Sequence, residues 1–158
     1  MIAVYTNEEL YQFAKQSNEI EGIDDSKRHR DHRLALAHFL THDNITVQAL
    51  EDFVKLIEPT AYLRREPHHR VYIGGGEAPA AEKAQRDLKE LLGAINGKRI
   101  DPWKAHCEYE MIHPFIDGNG RSGRALWLWM MSRRGYDLRY LFLQLWYYQT
   151  LQNYRQGP

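Results

Sequence analysis

The sequence has little of what marks a secreted, membrane-bound or nucleic-acid-binding protein. Its 158 residues include one cysteine, Cys107, so we expect no internal disulfide and a small buried side chain in a reducing compartment. No apolar run approaches the roughly 20 residues that a membrane-spanning helix requires. Lys+Arg and Asp+Glu both number 21, so no excess charge favours nucleic acid or an anionic membrane as a partner. The first residues also lack the basic and apolar regions of a signal peptide, and we expect a cytoplasmic protein.

The residues that are present suit a folded globule. Hydrophobic residues make up 43% of the chain and aromatic residues 12%. A chain of this length can bury roughly two-thirds of the surface that it exposes when unfolded. Because no internal repeat or long linker interrupts the sequence, we expect a single domain over residues 1–158.

Helical patterns run along most of the chain. Thr6 and Glu9 form a capping-box pattern, and the helix that they begin should end near Gly22. Further helices are predicted at about 26–40, 46–57, 79–95, 101–112, 120–134 and 138–154. The helix at 26–40 should bury Leu34, Leu36, Phe39 and Leu40. The aromatic clusters at 127–131 and 145–148 are expected to belong to the core.

The segment 62–79 has a different pattern. Val71, Tyr72 and Ile73 have the β-branched and aromatic side chains that are typical of a strand, and three glycines follow at 74–76. Glycine adopts turn conformations at little steric cost, so the pattern predicts a short hairpin. The fold class that we expect is therefore all-α, a helical bundle with one small β-hairpin flap.

The segment 113–124 concentrates charged residues and glycines, and reads HPFIDGNGRSGR. Pro114 disfavours helical geometry at the residue before it, so the preceding helix should end near His113. Gly118 and Gly120 allow a tight turn and a close approach of backbone N–H groups to a ligand. A new helix begins directly afterwards, and helix N-termini bind anions. The pattern predicts a phosphate cradle.

Side chains around this cradle have the chemistry for attack by a hydroxyl on a nucleotide phosphate. Asp117 offers a carboxylate for Mg²⁺, and Asn119 can donate to a phosphate oxygen. Arg121 and Arg124 share one helix face and should both reach toward the start of the helix. His113 has an ordinary pKa of about 6.5, which suits a general base. An ordinary glycine turn with solvated arginines would require none of these groups together.

This segment resembles the motif of the Fic family, HPFxDGNGRxxR with Asp or Glu at its fifth position, and every fixed position matches. The similarity extends over about 17–148, including the helix at 103–112 that leads into the motif. The hairpin at 70–75 is similar to the family's target-positioning flap, although that match is looser. The resemblance implies a Fic-type helical bundle that transfers AMP from Mg-ATP to a Ser, Thr or Tyr hydroxyl of a protein.

The resemblance also implies a role for each matching residue. His113 would deprotonate the target hydroxyl, and Asp117 would hold Mg²⁺ against the α- and β-phosphates of ATP. Two arginines would hold the outer phosphates, Arg121 the β-phosphate and Arg124 the γ-phosphate. The remaining residues would have three roles. Gly118, Asn119 and Gly120 would cradle the phosphates, and Phe115 would anchor the loop in the core. Val71, Tyr72 and Ile73 would position the target.

A second similarity lies near the N-terminus, where residues 17–22 read SNEIEG. This run is similar to the family's inhibitory motif, in which Ser or Thr precedes Glu by four positions and Gly or Asn follows. The resemblance implies that Glu21, with Ser17 and Gly22, pairs with Arg124 and leaves ATP bound with a misdirected α-phosphate. The ordinary alternative is the last turn of a helix. We accordingly predict an inhibitory helix at 1–24, a flap at 62–79 and a catalytic helix–loop–helix at 101–134.

The sequence leaves several functions open. The same site could transfer another nucleotide, remove AMP with help from Glu21, or transfer a phosphate, although family members that transfer phosphate alter the GNGR run. In a different class, the chain could be a nucleotide-responsive binding module, but binding alone does not require a base. The target protein is not specified, and an exposed aromatic patch could support a homo-oligomer.

Eight histidines raise the question of a zinc site. His29 with His32, and His38 with His42, have helical spacings that could bind the ion. We find no cysteine or carboxylate set that completes either pair, so we expect these four side chains to be solvated or to cap helices. His106 is expected to be a packing residue on the helix before the motif.

Overall fold

The structure, a computed structural model, describes residues 2–136 together with Leu151, Tyr154 and Arg155. This part of the chain contains six helices and one two-stranded sheet. They are α1 (Asn7–Ile20), α2 (Ser26–Phe39), α3 (Val47–Ile57), β1 (Tyr72–Ile73), β2 (Gly76–Glu77), α4 (Ala81–Asn96), α5 (Pro102–Ile112) and α6 (Asn119–Arg133). The predicted all-α class with a small hairpin is confirmed. The helix predicted at 138–154 and the aromatic cluster at 145–148 lie almost wholly outside the described residues.

The first helix shows how closely local signals determine an element. The side chain of Thr6 accepts a hydrogen bond from the Glu9 backbone (3.2 Å), and Glu9 Oε2 accepts one from the Thr6 backbone (2.7 Å). This reciprocal capping satisfies donors that the first turn leaves without intrahelical partners. The helix stops before Gly22, which adopts a left-handed φ of 72° that glycine tolerates. The predicted start and end of α1 are therefore confirmed.

The second helix begins and ends as predicted, but its buried face is different. Leu34 is 55% exposed, whereas His29 and His32 are buried. Asn18 of α1 explains the difference, because its amide lies within hydrogen-bond distance of His29 Nδ1 (3.1 Å) and His32 Nδ1 (3.0 Å). Buried polar groups are tolerated when they are hydrogen-bonded. The expectations of an inward Leu34 and of solvated or capping histidines at 29 and 32 were wrong.

The main hydrophobic core lies between the helices, and α6 forms its centre. The helix α6 packs along α5 and also contacts α1, α2 and α3. Large buried side chains from several elements fill the core: Phe13, Phe39, Leu50, Phe53, Leu88 and Trp129. Cys107 and His106 are buried, as expected. Among the described helices, none combines the length and apolar character that crossing a bilayer demands.

The predicted hairpin is present and short. Tyr72 pairs with Glu77 and Ile73 with Gly76 in antiparallel register, and the turn between the strands consists of Gly74 and Gly75 at positive φ. Val71 lies one residue before β1, and its carbonyl accepts a hydrogen bond from the Ala78 backbone (2.9 Å). Tyr72 is 67% exposed, so the hairpin presents side chains to solvent.

Candidate active site

The loop between α5 and α6 turns its polar groups toward one cavity. The helix α5 ends at Ile112, and His113 adopts a left-handed conformation with φ 50° and ψ 63°. A left-handed residue that is not glycine costs on the order of 1–3 kcal/mol, and such residues cluster at functional sites. Gly118 is also left-handed, with φ 79°, and precedes the first turn of α6. The cavity has a volume of about 350 Å³, and its wall includes His113, Asp117, Gly118, Asn119, Gly120 and Arg121.

The imidazole of His113 is held in one tautomer. Its Nδ1 lies 3.2 Å from the backbone carbonyl oxygen of Glu110. Because a carbonyl only accepts, Nδ1 must carry the proton, which leaves the lone pair on Nε2. Burial lowers the pKa of His113 below its ordinary value and so favours the neutral ring. A neutral imidazole with an accepting nitrogen is the form that a general base requires.

A pairing with residues 62–64 fixes the path of the loop. These residues run antiparallel to 114–116 and form two backbone hydrogen bonds of 2.9 and 3.1 Å on either side of the bridge between Leu63 and Phe115. Phe115 is completely buried in the core, which confirms the anchoring role that was predicted for it. The loop is therefore joined to the rest of the molecule by backbone pairing and by a buried side chain.

The side chain of Asn119 has a use within the loop that was not predicted. Its Nδ2 donates to the carbonyl oxygen of Phe115 (2.8 Å), and its Oδ1 accepts from the backbone N–H of the same residue (2.9 Å). Asn119 is only 2% exposed. The amide thus closes the loop on itself. Its Nδ2 carries a second N–H, so the donation to a phosphate oxygen stays a prediction. The backbone N–H groups of the first turn of α6 lack intrahelical partners and can still face an anion.

Arg121 is held at the end of α3. Its Nη2 donates to Glu58 Oε2 (2.8 Å) and its Nη1 to the carbonyl oxygen of Ile57 (3.1 Å). Glu58 also accepts from Arg28 Nη2 at 2.6 Å. The hydrogen bond from Arg121, more than any other favourable contact, holds the pKa of Glu58 below its ordinary value. One carboxylate is therefore shared between two guanidiniums at the cavity wall, which includes Arg28 and Glu58.

Arg124 turns the other way, toward the end of α1. It is completely buried, and it donates from Nε to Ser17 Oγ (2.8 Å), from Nη2 to the Ser17 carbonyl oxygen (2.8 Å) and from Nη2 to Glu21 Oε1 (2.6 Å). As far as the described residues go, the cavity wall includes Glu21 but not Arg124. The two arginines thus bond to different helices, although the guanidinium of Arg124 still lies beside Gly120 in the first turn of α6, where both were predicted to reach.

The carboxylate of Glu21 also lies directly against the first turn of α6. A Cβ atom built on Gly120 would overlap Glu21 Oε1 and lie 3.1 Å from Arg124 Nη1. Gly120 has an ordinary helical φ, so its lack of a side chain makes room for the carboxylate instead of enabling a turn. An anion from the chain itself therefore lies at the helix N-terminus where a phosphate would be stabilised.

Comparison with known proteins identifies the family. The model of the Fic/DOC family matches residues 8–131, which is most of the chain. The chain belongs to the Fic/DOC family. It is 27% identical over 132 residues to protein adenylyltransferase fic-1 of Caenorhabditis elegans, covering 77% of this chain and 25% of that protein. It is 36% identical over 76 residues to protein adenylyltransferase Fic of Drosophila persimilis, covering 43% of this chain and 15% of that protein. The chain thus spans a quarter or less of the length of these curated relatives.

Solved structures of Fic proteins share the fold. A Fic-domain signalling protein of Bacteroides thetaiotaomicron superimposes with a TM-score of 0.75 at 18% identity, covering 92% of this chain and 71% of that one. The Fic-1 fragment of C. elegans superimposes with a TM-score of 0.67 at 20% identity, covering 94% of this chain and 58% of that one. The Fic-type helical bundle is confirmed.

Arg64 is one residue of this Fic protein that sequence reasoning missed. It is 1% exposed and donates to the carbonyl oxygens of Ile112 (3.1 Å), His113 (2.8 Å) and Pro79 (2.8 Å). A guanidinium at a helix C-terminus satisfies carbonyls that lack intrahelical partners and complements the helix dipole. Arg64 thereby holds the backbone of the candidate base and links it to the chain after the hairpin. Because 48 residues separate Arg64 from Ile112, no local spacing could have indicated the contact.

Glu110 is a second residue that was missed. Its side chain is buried, and its Oε1 lies 3.9 Å from His106 Nε2. Burial raises the pKa of Glu110 to about 7 and lowers that of His106 to about 3. A Cβ atom on Gly123 would lie 2.7 Å from Glu110 Oε1, so glycine at this position allows α5 and α6 to pack closely.

Glu58 and Arg28 were missed for the same reason as Arg64, because the elements that carry them are distant in sequence.

Asp117 is the residue of this Fic protein that could hold a metal ion at the cavity. Its carboxylate is exposed at the cavity wall, and Oδ1 accepts a hydrogen bond from the Gly118 backbone (2.6 Å). That bond orients the side chain and leaves Oδ2 for a ligand. Mg²⁺ typically takes one or two protein carboxylates together with waters and phosphate oxygens. The residues present therefore fit Mg²⁺ bound together with a nucleotide.

Proposed function

We propose that this Fic protein is a protein adenylyltransferase that transfers AMP from Mg-ATP to a Ser, Thr or Tyr hydroxyl. The observation that carries the proposal is the cavity in which His113 meets the N-terminus of α6. A base and an anion-binding helix end at one cavity suit reaction of a hydroxyl with a phosphate. The names of the curated relatives, which are protein adenylyltransferases, support the same reaction.

In the proposed reaction, the target hydroxyl approaches Nε2 of His113 and gives up its proton as its oxygen attacks the α-phosphorus. A bond forms between the hydroxyl oxygen and the α-phosphorus, and the bond from that phosphorus to the bridging oxygen breaks. Pyrophosphate leaves with the electron pair. The backbone N–H of Gly120 and the guanidinium of Arg121 would stabilise the phosphate charge. The predicted contact from the N–H of Gly118 would require it to leave Asp117 Oδ1, to which it donates at 2.6 Å. Mg²⁺ held by Asp117 would add charge neutralisation when bound.

We further propose that the chain inhibits itself through Glu21. The carboxylate bonds to Arg124 and lies over Gly120, so it competes with a γ-phosphate for both the guanidinium and the helix end. Ser17 supports the same arrangement by accepting from Arg124 through its hydroxyl and its carbonyl oxygen. ATP could bind only with its outer phosphate displaced, and its α-phosphate would then be misplaced for attack.

The exposed hairpin is proposed to position the target chain. The strand residues Tyr72 and Ile73, with Val71 before them, offer backbone groups and side chains at the surface. An extended target segment could add to such an edge by backbone hydrogen bonding. We propose that the partner is a protein and not a nucleic acid or a membrane. The proposed compartment is the cytoplasm, and a homo-oligomer is compatible with this function.

Labelled ATP tests the proposed reaction. Incubation of Glu21→Gly with Mg²⁺ and ATP labelled at the α-phosphate should label the protein itself or a lysate protein, with a mass increase equal to one AMP. Parallel incubation with ATP labelled at the γ-phosphate should give no label. The matched control is Glu8→Gly, because Glu8 is an exposed acid of α1 that bonds to Gln12 (2.7 Å) and not to Arg124. It should label no faster than the unaltered chain.

Each alternative has its own outcome in this experiment. Label from the γ-phosphate alone would mean phosphate transfer, and a mass increase for another nucleotide, when a mixture is supplied, would change the substrate. Loss of AMP from a pre-labelled protein, faster with Glu21 than without it, would favour removal of AMP. Nucleotide binding without any transfer by Glu21→Gly would contradict an enzyme and favour a binding module.

A further inference from the structure

The turn that carries Glu21 is flanked by three groups that can bind a metal ion. Glu19 lies in the last turn of α1, Asp24 follows the turn, and His29 belongs to the first part of α2. One ligand atom from each side chain lies within 4.8 Å of the other two. The sequence showed no carboxylate set beside His29, because the two acids precede α2 and only the packing of α1 on α2 brings them to the imidazole.

The imidazole of His29 is the strongest of these observations. His29 is 2% exposed, and its Nε2 finds no hydrogen-bond partner among the described residues. That nitrogen lies 3.7 Å from Asp24 Oδ1. A buried imidazole nitrogen without a partner is costly unless something satisfies it. The nitrogen points toward a carboxylate oxygen at about the spacing of two ligands on one ion. A bound metal ion would therefore satisfy it.

The amide of Asn18 can set the tautomer of His29 that a metal ion requires. This amide lies between His29 Nδ1 and His32 Nδ1, and either orientation of the amide satisfies both rings, because each Nδ1 can donate or accept. The structure has the amide nitrogen toward His29 and the amide oxygen toward His32. With the amide turned by 180°, its oxygen accepts from His29 Nδ1, and Nε2 then presents its lone pair to the carboxylates. Metal-binding histidines are commonly oriented through their second nitrogen in this way.

The ligand types favour a transition-metal ion. One imidazole nitrogen with two carboxylate oxygens suits Zn²⁺, which in open sites takes three protein ligands and a water, whereas Mg²⁺ prefers oxygen ligands. The side chains of Glu19 and Asp24 are 43% and 91% exposed, so both can move toward the ion. The pairing of Glu19 with Lys15 is exposed and offers little resistance.

We propose that Glu19, Asp24 and His29 form a binding site for a divalent transition-metal ion such as Zn²⁺. An ion there would join the end of α1 to the start of α2 across the turn at Gly22. It would hold Glu21 against Arg124 and strengthen the inhibited state. The binding site stands on its own geometry, whereas its regulatory effect rests on the proposed function.

Zn²⁺ binding tests the site directly. Competition with a chromophoric chelator should give one tight equivalent of Zn²⁺ for the unaltered chain, and Asp24→Asn and Glu19→Gln should each weaken it about tenfold or more. Both changes are at exposed side chains and should leave the fold intact. Asp43→Asn, an equally exposed acid at the far end of the bundle, and His38→Gln, in the other histidine pair, should bind like the unaltered chain. Unchanged binding in Asp24→Asn and Glu19→Gln, or lost binding in His38→Gln, would overturn the site.

Labelling at buffered free Zn²⁺ tests the regulatory effect. Zn²⁺ should slow transfer of label by the unaltered chain several-fold and should not slow Asp24→Asn. Glu21→Gly should still bind Zn²⁺ but should not respond in rate, because the contact that the ion strengthens is gone. Equal slowing of Glu21→Gly would mean that the ion acts at the nucleotide site, and the regulatory proposal would be wrong. If no variant transfers label, the proposed function fails, and the chelator titration still decides the metal site.

Discussion

Arg121 and Arg124 stand three residues apart on α6, yet different helices hold them. Arg121 meets Glu58 at the end of α3, where Arg28 binds the same carboxylate. Two guanidiniums share one negative charge, so this end of the cavity keeps an excess of positive charge for a phosphate. The local charge balance suits an enzyme that binds nucleotide there.

Around Arg124 the balance is different. The guanidinium is completely buried, and Ser17 and Glu21 accept its hydrogen bonds. The carboxylate is supplied by a turn that is partly exposed, and under the proposed auto-inhibition it would compete with an incoming phosphate. The difference between the two arginines teaches that one motif can bond to two separate elements, and only the contact of Arg124 is one that we propose a phosphate would replace. The contacts of Arg121 depend on α3 and those of Arg124 on α1.

Loss of His113 should have the largest effect on the rate of AMP transfer. The two arginines can be compared through that rate only if His113 is the base of the reaction. In the Glu21→Gly background, His113→Ala should lower the rate of AMP transfer by about 10²–10⁴-fold, the range typical of a general base. The melting temperature should change little. His38→Ala, a change at an exposed imidazole distant from the cavity, serves as the control. Persistent transfer by His113→Ala would rule out its role as the base.

Removing the hydrogen-bond acceptors of Arg124 one at a time should have the next largest effect on the rate of labelling. Glu21→Gly should raise the rate of labelling about 10–100-fold, since a hydrogen bond to a charged group contributes about 1.5–3 kcal/mol. Ser17→Ala removes a neutral acceptor of Arg124 and should raise the rate only a few-fold. Initial rates at fixed Mg-ATP measure both. An equal effect of the two changes, or a lower rate in Glu21→Gly, would contradict the proposed competition.

Removal of the Glu58 charge should affect stability and not the rate of labelling, in contrast to removal of the Glu21 charge. Glu58→Gln should lower the free energy of unfolding at pH 7 by about 1–3 kcal/mol without raising the rate of labelling. The folded-state pKa of Glu58 is lowered, so its stabilising effect is present above its ordinary pKa of 4.5 and is lost as the pH falls through the folded value. Denaturant unfolding should therefore show a smaller difference in the free energy of unfolding between Glu58→Gln and the unaltered chain below pH 4 than at pH 7. Glu77→Gln, in the exposed pair with Arg70, should change stability little at either pH.

The smallest expected effect concerns the pH dependence of transfer. Burial lowers the pKa of His113 below 6.5, whereas the charge of Glu21 acts weakly to raise it. Since the neutral ring is the active form, the acid limb of kcat/KM should lie below pH 6.5. It should move further down in Glu21→Gly. An acid limb at or above pH 6.5 in that variant would mean that another group controls the reaction.

The fold was largely predictable because its signals are local. The capping box at Thr6, the stop at Gly22 and the hairpin glycines each act within a few residues, and the structure has the corresponding elements. The face of α2 was predicted wrongly, since hydrophobicity places Leu34 inside and imidazoles outside. Asn18 reverses that preference by satisfying two buried rings, and its contribution comes from another helix.

The candidate site was predictable only in part. Most of the residues from His113 to Arg121 line the cavity because they are contiguous. The pairing of Glu21 with Arg124 followed from a family motif. The closing of the loop by Asn119, the support of His113 by Arg64 and the sharing of Glu58 were not predicted. Each of these involves a side chain whose partner is decided by packing or by the exact path of a loop.

The sequence by itself determined where helices begin and end, that the chain turns sharply at Pro114 and Gly118, and that a base, an acid and two guanidiniums lie on one short segment. Those properties follow from backbone sterics and hydrogen bonds between near neighbours. Only the tertiary structure decided which carboxylate meets which guanidinium. That choice depends on how α1 and α3 pack against α6, and burial of apolar faces, not the spacing of charges along the chain, determines the packing.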